Sequence, residues 1–420
     1  MSAPVSSSVA DSTPVSGTMR AAPWFMLAVL TLVNMINWAD RNVVPILFPA
    51  IGSELALSDT QLGVIGGLAF SAIYAISSFA FGYASDRSIR RNVIAFGLVV
   101  WSVATATSGL ATSFWSLFAA RFFTGIGEAS LYPAAMSMIA ERFPASTRGR
   151  AMGIFGAAAA VGGGLGIGLG GPLSEAIGWR SVFFIYGAVG VLALPVVLSV
   201  PEAPRPAPTG EDAETGKVLR GLIRDGRLIM LWTSGLVMIG SGIGFATWVP
   251  SYFVRFWDIE VGQAGLVFGL SMLVGGVGGA IVGGVIADAR GKLRVGGQLD
   301  VSIAAALLGA PLAAGALLFK SLPLVMALGF LTPVAIFAYF PPIQAVIVEI
   351  VPPRRHGIAY AINVLFLGGM GTALGPFLVG LVSDITGSLA TGMIVPIVGM
   401  LLAAVLMVIA RSKVAAGAPR

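Results

Sequence analysis

Four ionisable residues lie inside long apolar stretches of this sequence, where they could exchange protons and bind an anion. Asp40 and Arg41 interrupt the first such stretch, and Arg121 and Glu128 interrupt the fourth. A charge at the centre of a bilayer costs at least about 2.5–3.5 kcal/mol, so such residues are retained where they face a cavity and pair. Burial favours the protonated form of a carboxyl group, and a nearby arginine favours the ionised form. A carboxylate subject to both influences can change its protonation as the cavity around it changes shape.

The remaining composition excludes a soluble protein. The chain has 420 residues, of which 56% are hydrophobic and 10% are charged, whereas an ordinary soluble domain has roughly 25% charged residues. There is no cysteine, which excludes disulfides, thiolate metal sites and cysteine nucleophiles. A single histidine, His356, leaves too few ligands for a transition-metal site and supports no hydrolytic triad. The glycine-rich stretches contain no Gly-Lys-Ser/Thr sequence, so nucleotide binding is not predicted. We therefore expect neither an enzyme nor a cofactor or metal protein.

Twelve stretches approach the length of about 20 apolar residues that a membrane-spanning helix needs. They are 23–48, 61–84, 92–112, 114–140, 151–174, 180–200, 229–254, 264–287, 301–319, 324–349, 357–382 and 389–410. With the N-terminus inside, the cytoplasmic segments carry 20 Lys and Arg residues and the opposite loops carry three. This asymmetry predicts that both termini are cytoplasmic. It also accounts for the formal net charge of +6 without nucleic acid.

The spans divide into two similar halves. We predict a disordered N-terminal tail (1–20), an N-terminal six-helix half (21–200), a cytoplasmic linker (201–228), a C-terminal six-helix half (229–411) and a C-terminal tail (412–420).

A repeat relates the two halves. Gly82…Asp86 recurs as Gly284…Asp288, and Pro133…Glu141 recurs as Pro341…Glu349. Duplicated six-helix halves imply a transporter whose site lies between them, near the bilayer midplane.

Two motifs resemble those of the major facilitator superfamily. They are Gly82-x-x-x-Asp86-Arg87-x-x-Arg90-Arg91, in which Ile89 replaces a usual second Gly, and Arg121-x-x-x-Gly125-x-Gly127-Glu128-Ala129. The resemblance covers all twelve spans. It implies an all-α integral membrane fold of twelve transmembrane helices in two pseudo-symmetric halves.

Finer patterns resemble the spinster-like branch of that family. They are Asn37-Trp-Ala-Asp40-Arg41, Gly127-Glu128-Ala129-Ser130 and Gly375-Pro376…Ser383-Asp384. That branch is associated with the export or release of lysophospholipids and sphingosine-1-phosphate. A neighbouring branch, the organic-anion:cation symporters for sugar acids, also carries Asp-Arg in its first helix and Glu in its fourth. Those residues alone do not separate the two branches.

The four charges are expected at similar depth. At about 1.5 Å per residue, Asp40 and Arg41 lie roughly 6–8 Å outward of the centre, Arg121 about 9 Å outward and Glu128 almost at the centre. Adjacent residues point about 100° apart, so we expect cross-pairs, Asp40 with Arg121 or Arg41 with Glu128. We assign proton coupling to Asp40 and Glu128, anion binding to Arg41, and a more structural role at the substrate site to Arg121. The alternative is a pair of clamps between helices, although buried ion pairs are weak evidence for stability.

The second half carries no charge at the aligned positions. The residues predicted to bind substrate there are Phe245, Trp248, Phe337, Tyr339 and Asn363; Thr332, Phe340 and Phe366 lie on the same candidate faces. A cavity that is polar on one side and aromatic on the other suits an amphipathic anion better than a sugar acid. Packing or contact with lipid is the alternative for each aromatic residue.

Two cytoplasmic loops form a predicted gate. Its residues are Gly82, Asp86, Arg87, Arg90 and Asp288. A carboxylate there can accept backbone N–H bonds at the start of a neighbouring helix. By resemblance, these loops latch the cytoplasmic side when the transporter faces outward. The arginines could pair with Glu141 or Glu349, or report topology alone.

Glycine runs in the fifth and eighth spans permit close helix packing or bending.

Together these features predict a secondary transporter that works by alternating access and is driven by a proton gradient. The expected substrate is an amphipathic anionic lipid, such as a lysophospholipid or sphingoid phosphate. The alternatives are a proton-coupled symporter of small organic anions such as sugar acids, and a membrane receptor or sensor with a transporter fold. We expect a monomer in a bacterial inner membrane, in contact with membrane lipids and not with nucleic acid.

Overall fold

The computed structural model describes residues 17–202, 215–352 and 355–416, and these residues form helices and short connections without any strand. In the first half the helices are α1 (Gly17–Leu55), α2 (Asp59–Arg87), α3 (Arg90–Ser108), α4 in two pieces (Phe114–Glu128 and Leu131–Arg142), α5 (Ala145–Ile177) and α6 (Trp179–Leu198). In the second half they are α7 (Gly226–Trp257), α8 (Val261–Gly291), α9 (Leu299–Leu318), α10 (Leu322–Ile350), α11 (His356–Val364, Leu365–Gly371 and Thr372–Thr386) and α12 (Leu389–Ala416).

Nine helices in the described chain, α2 and α5 to α12, are long and apolar enough to cross a membrane. The positions of the three remaining predicted spans are also helical, but α1, α3 and α4 fall below that measure. The helix α4 falls below it because its two pieces have only 15 and 12 residues, and α1 carries the charges of Asp40 and Arg41, which lower its hydropathy.

The predicted domain boundaries coincide only partly with described residues. Most of the predicted tail 1–20 lies outside them, and α1 begins at Gly17. Residues 203–214 of the linker and 417–420 of the C-terminal tail also lie outside, and Thr215–Leu222 forms a short linker helix. The second half begins at Asp225, whose carboxylate caps α7 by accepting the backbone N–H of Arg227 at 2.9 Å. A side-chain hydrogen bond from Arg227 lowers the pKa of Asp225, which keeps the cap ionised.

Both α4 and α10 break near their centres, at equivalent places in the two halves. The first piece of α4 ends at Glu128, and Pro133, which has no N–H, cannot donate to the carbonyl of Ala129 one turn earlier. In α10 the regular helix is interrupted at Tyr339, just before Pro341. The repeated proline therefore explains the breaks, and the break in α4 leaves Glu128 at a helix end.

Glycines in α5 bring its backbone against α1. A Cβ at Gly162 would collide with the carbonyl of Met35, and one at Gly166 would lie 2.8 Å from the Cα of Ala39. These positions are four residues apart on both helices, so the backbones stay in contact over a full turn. This packing fixes the segment of α1 that carries Asp40.

A second glycine contact presses α4 against α3. A Cβ at Gly127 would lie 2.5 Å from the backbone nitrogen of Trp101, and one at Gly97 would lie 2.5 Å from the carbonyl of Gly127. Glu128 is therefore held at the crossing of the two helices, where no larger residue than glycine fits beside it. Thr105 lies one turn along α3 from Trp101 and faces the same region.

Candidate functional site

Arg41 of α1 and Glu128 of α4 form an ion pair across the first half. The guanidinium donates to one carboxylate oxygen of Glu128, with Nη2 at 2.8 Å and Nε at 3.2 Å. The Glu128 side chain is 0% exposed, whereas that of Arg41 is 23% exposed. One of the two predicted cross-pairs is thus confirmed, and the arginine is its accessible member.

Three aromatic rings surround the guanidinium of Arg41. Its Cζ lies 4.7 Å from the ring of Trp38, 4.5 Å from that of Phe70 and 4.7 Å from that of Tyr74. Each distance is within the range of a cation–π contact. The rings fix the direction of the arginine and form apolar walls beside its charge. Phe70 and Tyr74, four residues apart on one face of α2, were not among the residues predicted from sequence.

Asp40 is paired differently from the prediction. Its Oδ2 accepts a hydrogen bond of 2.6 Å from the hydroxyl of Thr105, and among the described residues no ion pair joins it to Arg121. Arg121 lies within electrostatic range of Asp40 and Glu128, and its Cζ is 5.3 Å from the Phe70 ring. Because no hydrogen bond or ion pair joins the two side chains in the described part of the chain, Arg121 acts on the Asp40 carboxylate through space.

Several polar atoms of this cluster are buried without a hydrogen-bond partner in the described part of the chain. They are Oδ1 of Asp40, Oε1 of Glu128, Nε and Nη1 of Arg121 and Nδ2 of Asn37. Most buried polar atoms in proteins have a partner, so each exception calls for an explanation. One oxygen of each carboxylate is thus free to take a proton. Asp40, Arg41, Arg121 and Glu128 are brought together in one region of the first half, as the sequence predicts.

The predicted residues of the second half are more dispersed. Trp248 is fully buried, donates from Nε1 to the carbonyl of Pro376 at 2.9 Å and contacts Phe48 at a centroid distance of 5.2 Å. Tyr339 is also fully buried, and its hydroxyl lies 2.5 Å from that of Ser234. Both side chains serve helix packing in this conformation.

The other predicted substrate residues differ in their exposure. Phe245 is buried in a hydrophobic cluster that contains residues of both halves. Phe337 is partly exposed, and Asn363 is buried with an Oδ1 that has no partner among the described residues. None of the described contacts of these residues reaches Arg41 or Glu128, so their substrate role stays a prediction.

The two halves meet most tightly at the end of the bundle where α1 terminates, which the loop charges predict to be the outer end. A Cβ at Gly63 would lie 2.5 Å from the carbonyl of Pro376, and one at Gly171 would lie 2.5 Å from that of Val261. By contrast, a Cβ at Gly82, near the opposite end of α2, would meet nothing within 4 Å. In this conformation the two halves are therefore in contact at the predicted outer end.

An ion-pair network fastens that outer end, and we call it the outer lock. Arg255 of α7 binds Asp59 of α2 through two bonds of 2.8 and 2.7 Å, and Ser383 of α11 donates to Asp59 at 2.6 Å. Asp384 accepts the backbone N–H groups of Asp59 and Thr60 at 3.0 and 2.8 Å, at the N-terminus of α2. A carboxylate is stabilised there by the free N–H groups and the helix dipole. The sequence indicated Ser383 and Asp384 only by resemblance, and Asp59 and Arg255 were missed.

Removing the arginine of the outer lock should open the outer side. We expect Arg255→Ala to shift the balance of conformations about tenfold, because hydrogen bonds to charged groups contribute about 1.5–3 kcal/mol. The chain has no cysteine, so Ala373→Cys, at a buried position beside Gly67, provides a single reporter. Its labelling by an impermeant maleimide should become faster in the Arg255→Ala background.

Arg180→Ala is the matched control for that experiment. Arg180 also pairs with a carboxylate at the outer end, Glu54 at 2.5 Å, but within the first half. Its removal should leave the labelling rate unchanged. Equal rates in the Arg255→Ala and parent proteins would contradict the lock.

The predicted cytoplasmic gate is not engaged in this conformation. Asp86 and Asp288 are exposed, and Arg87 stacks on Tyr83 of its own helix, with Cζ 3.6 Å from the ring centroid. The gate stays a prediction about a state closed on the cytoplasmic side.

Arg90, the remaining gate residue, is instead buried within the first half. It binds Glu141 at 2.6 Å, which confirms one expected pair, and Glu202 at 2.8 Å. Glu202 was not foreseen. Arg90 therefore ties α3 to α4 and to the segment after α6, whichever role it has in gating.

The chain matches the model of one protein family. Residues 30–316, more than half of the chain, match the Major Facilitator Superfamily.

Three curated relatives are similar over most of the chain. An MFS-type efflux pump of Mycolicibacterium smegmatis is 29% identical over 91% of this chain and 89% of its own length. The spinster protein of Drosophila melanogaster is 27% identical over 86% of this chain, which spans 62% of that protein. A probable galactarate/D-glucarate transporter of Bacillus subtilis is 28% identical over 65% of this chain and 66% of its own length.

The fold also matches a solved structure. A bacterial homologue of the human lysosomal transporter Spinster, crystallised in an inward-facing and unoccupied conformation, superposes with a TM-score of 0.84. The two chains are 23% identical, and the match covers 95% of this chain and 98% of that one. This likeness, the helical architecture and the family match agree. The chain is a multi-pass integral membrane protein that belongs to the major facilitator superfamily.

Proposed function

We propose that this transporter moves an amphipathic anion, such as a lysophospholipid or a sphingoid phosphate, together with a proton. The observation that supports this most directly is the ion pair between Arg41 and Glu128, in which the arginine is 23% exposed and the carboxylate is enclosed. An anionic group that enters the site meets the guanidinium first. The carboxylate behind it is the group that a substrate anion would replace.

Substrate and proton are coupled at this pair by competition. While Glu128 is ionised, its carboxylate occupies Nη2 and Nε of Arg41. When Glu128 takes a proton it loses its charge, and the guanidinium becomes available to a phosphate. Conversely, a phosphate bound to Arg41 leaves Glu128 as an unpaired buried charge, which favours protonation. Linkage is reciprocal, so anion and proton bind more tightly together than either binds alone.

Asp40 supports the same exchange from the neighbouring face of α1. Its Oδ1 is buried without a partner in the described part of the chain, and Arg121 lies within electrostatic range. When Glu128 takes a proton and Arg41 binds substrate, Arg121 remains to compensate Asp40. The second arginine thus allows the cluster to gain one proton without leaving Asp40 uncompensated.

The surroundings of Arg41 favour an amphipathic substrate over a sugar acid. Trp38, Phe70 and Tyr74 place apolar ring surfaces within 5 Å of the guanidinium. The hydroxyl groups of a sugar acid need several hydrogen-bonding partners, whereas an acyl or sphingoid chain is well accommodated by rings. The resemblance to the spinster-like branch supports this substrate class, and the name of the galactarate/D-glucarate relative supports the alternative. A receptor or sensor is not favoured.

Alternating access would carry the occupied pair across the membrane. Because the outer lock holds the predicted outer ends together, we infer that substrate reaches the pair from the cytoplasmic side in this conformation. Opening the lock and closing the loops around Gly82 would present the same pair outward. We further propose that both termini are cytoplasmic and that the protein acts as a monomer in a bacterial inner membrane.

A ligand screen tests the substrate class. The purified protein is heated with lysophosphatidylglycerol, with sphingosine-1-phosphate or with galactarate, and its unfolding temperature is recorded. The two lipid anions should each raise that temperature, and galactarate should leave it unchanged. Stabilisation by galactarate alone would refute the lipid assignment and establish the sugar-acid alternative.

Replacing Arg41 should abolish recognition of the anionic group while sparing the apolar part of the substrate. We expect Arg41→Ala to weaken binding of lysophosphatidylglycerol at least tenfold, because a charge-assisted hydrogen bond contributes about 1.5–3 kcal/mol. Binding of the uncharged monoacylglycerol with the same chain should change less than twofold. Isothermal titration with both ligands measures the difference, and Arg224→Ala, at an exposed cytoplasmic position, is the control. An equal loss for both ligands would contradict headgroup recognition by Arg41.

A further inference from the structure

A groove of about 860 Å³ lies on the lateral surface of the second half, away from the ion pair of α1 and α4. It forms because α10 packs against both α8 and α9, while α8 and α9 barely touch each other. Small residues make its floor, among them Gly283, Ala305 and Ala335. Exposed aliphatic side chains, including Ile286 and Leu308, make its rims. Its volume falls in the range of ligand sites in proteins.

The charged residues that line the groove are confined to one end. They are Arg290, Arg294 and Asp300, at the cytoplasmic ends of α8 and α9. From Asp300 to Leu312 the lining of α9 extends about 18 Å toward the outer side. This exceeds half of a hydrocarbon core that is about 30 Å thick. The groove therefore has the length of one lipid leaflet, with its charges at headgroup level.

The charge at that end is positive. Asp300 is already bound by two arginines, Arg294 at 2.5 Å and Arg411 at 2.6 Å. Arg290 lines the groove and forms no ion pair among the described residues. Three arginines thus face one aspartate, and the guanidinium of Arg290 is available to an anion.

We propose that this groove binds an anionic phospholipid of the cytoplasmic leaflet. The phosphate and headgroup lie at Arg290 and Arg294, and one acyl chain lies along α9 between Ile286 and Leu331. Basic pockets between membrane helices on the cytoplasmic side bind anionic lipid headgroups by the same combination of charge and apolar surface. The occupant is a resident membrane lipid, because the groove lies within one half and opens sideways to the bilayer. The site does not depend on the proposed function, since none of its residues belongs to the Arg41 cluster.

Native mass spectrometry of the full-length protein in mild detergent tests this site. The probes are phosphatidylglycerol and phosphatidylcholine with identical acyl chains, and glycerol phosphate represents the free headgroup. Phosphatidylglycerol should bind with one tight site, phosphatidylcholine should bind more weakly, and glycerol phosphate should not be retained. Equal binding of the two lipids, or retention of glycerol phosphate alone, would overturn the proposal.

Three variants locate the binding. Arg290→Gln should weaken phosphatidylglycerol about fivefold, because a basic residue at the membrane surface contributes about 1 kcal/mol. Ala304→Trp, at an exposed position inside the groove, should displace the acyl chain and leave the arginines intact. Arg220→Gln removes an exposed arginine of the linker helix and should change nothing. Unchanged tight binding in both groove variants would place the lipid elsewhere and refute the assignment, and an unfolding temperature close to that of the parent protein confirms that the variants fold.

Discussion

Glu128→Gln is expected to abolish proton-driven transport and to leave the protein folded. Glutamine has the shape of glutamic acid and can still accept a hydrogen bond from Arg41, so the side-chain connection between α1 and α4 is preserved. It cannot ionise, however, and the guanidinium is then available to the anion at every pH. We expect accumulation of substrate driven by a proton gradient to fall at least tenfold, while exchange of labelled for unlabelled substrate continues. Uptake into proteoliposomes between pH 5.5 and 8.5 should lose its pH dependence.

Glu141→Gln is the control for this prediction. Glu141 lies on the second piece of α4 and also pairs with an arginine, Arg90 at 2.6 Å. It faces the cytoplasmic end of the first half and not the anion site. This variant should keep the pH profile of the parent. A Glu128→Gln protein with the pH profile of the parent would show that the proton binds elsewhere.

The second large effect concerns the packing of α5 on α1. We expect Gly166→Val to destabilise the protein by on the order of 3 kcal/mol or more and to reduce its yield severely. A Cβ there would lie 2.8 Å from the Cα of Ala39, and the obstacle is backbone, which cannot rotate away. Overpacking in a well-packed core costs about 1–3 kcal/mol even when side chains can adjust. The displaced backbone of Ala39 would move Asp40 away from Thr105, so any protein that folds should also transport poorly.

Gly168→Val separates this contact from a general intolerance of α5 to larger residues. Gly168 is two residues along the same helix, and the nearest atom to a Cβ there is 3.8 Å away, on Gly269. That is ordinary van der Waals contact. Yield and unfolding temperature of Gly168→Val should stay close to those of the parent. A severe loss in both variants would show that helix propensity, and not contact with α1, sets the requirement for glycine.

The centre of the site could be predicted because charges are rare in this chain. Asp40, Arg41, Arg121 and Glu128 stand out against apolar sequence, and the helical rise places them at similar depth. The repeated prolines likewise predict related halves, and the structure shows the breaks in α4 and α10 that follow from them.

Partners that depend on how helices rotate against each other could not be predicted. Thr105 resembles any other threonine of an apolar span until α3 is placed beside α1. Phe70 and Tyr74 share a face of α2, but the sequence does not show that Arg41 points toward it. An aromatic residue in an apolar span can either line a cavity or pack between helices, and the sequence does not distinguish the two. In this conformation Trp248 and Tyr339 are buried by helix packing. The outer lock could not be predicted from the sequence, because Asp59 and Arg255 lie at helix ends, where charges are expected in any membrane protein.

Proton uptake on substrate binding tests the central claim most directly. The purified protein, in weakly buffered solutions at a series of pH values from 7 to 9, is titrated with lysophosphatidylglycerol, and the pH change is converted to protons per bound ligand. Competition at the ion pair predicts that uptake by the parent protein rises toward one proton per ligand as the pH reaches values at which Glu128 is ionised in the free protein, and that Glu128→Gln takes up none at any pH. Binding of the ligand without proton uptake by the parent, or with the same uptake by both proteins, would contradict the coupling of anion and proton at Arg41 and Glu128.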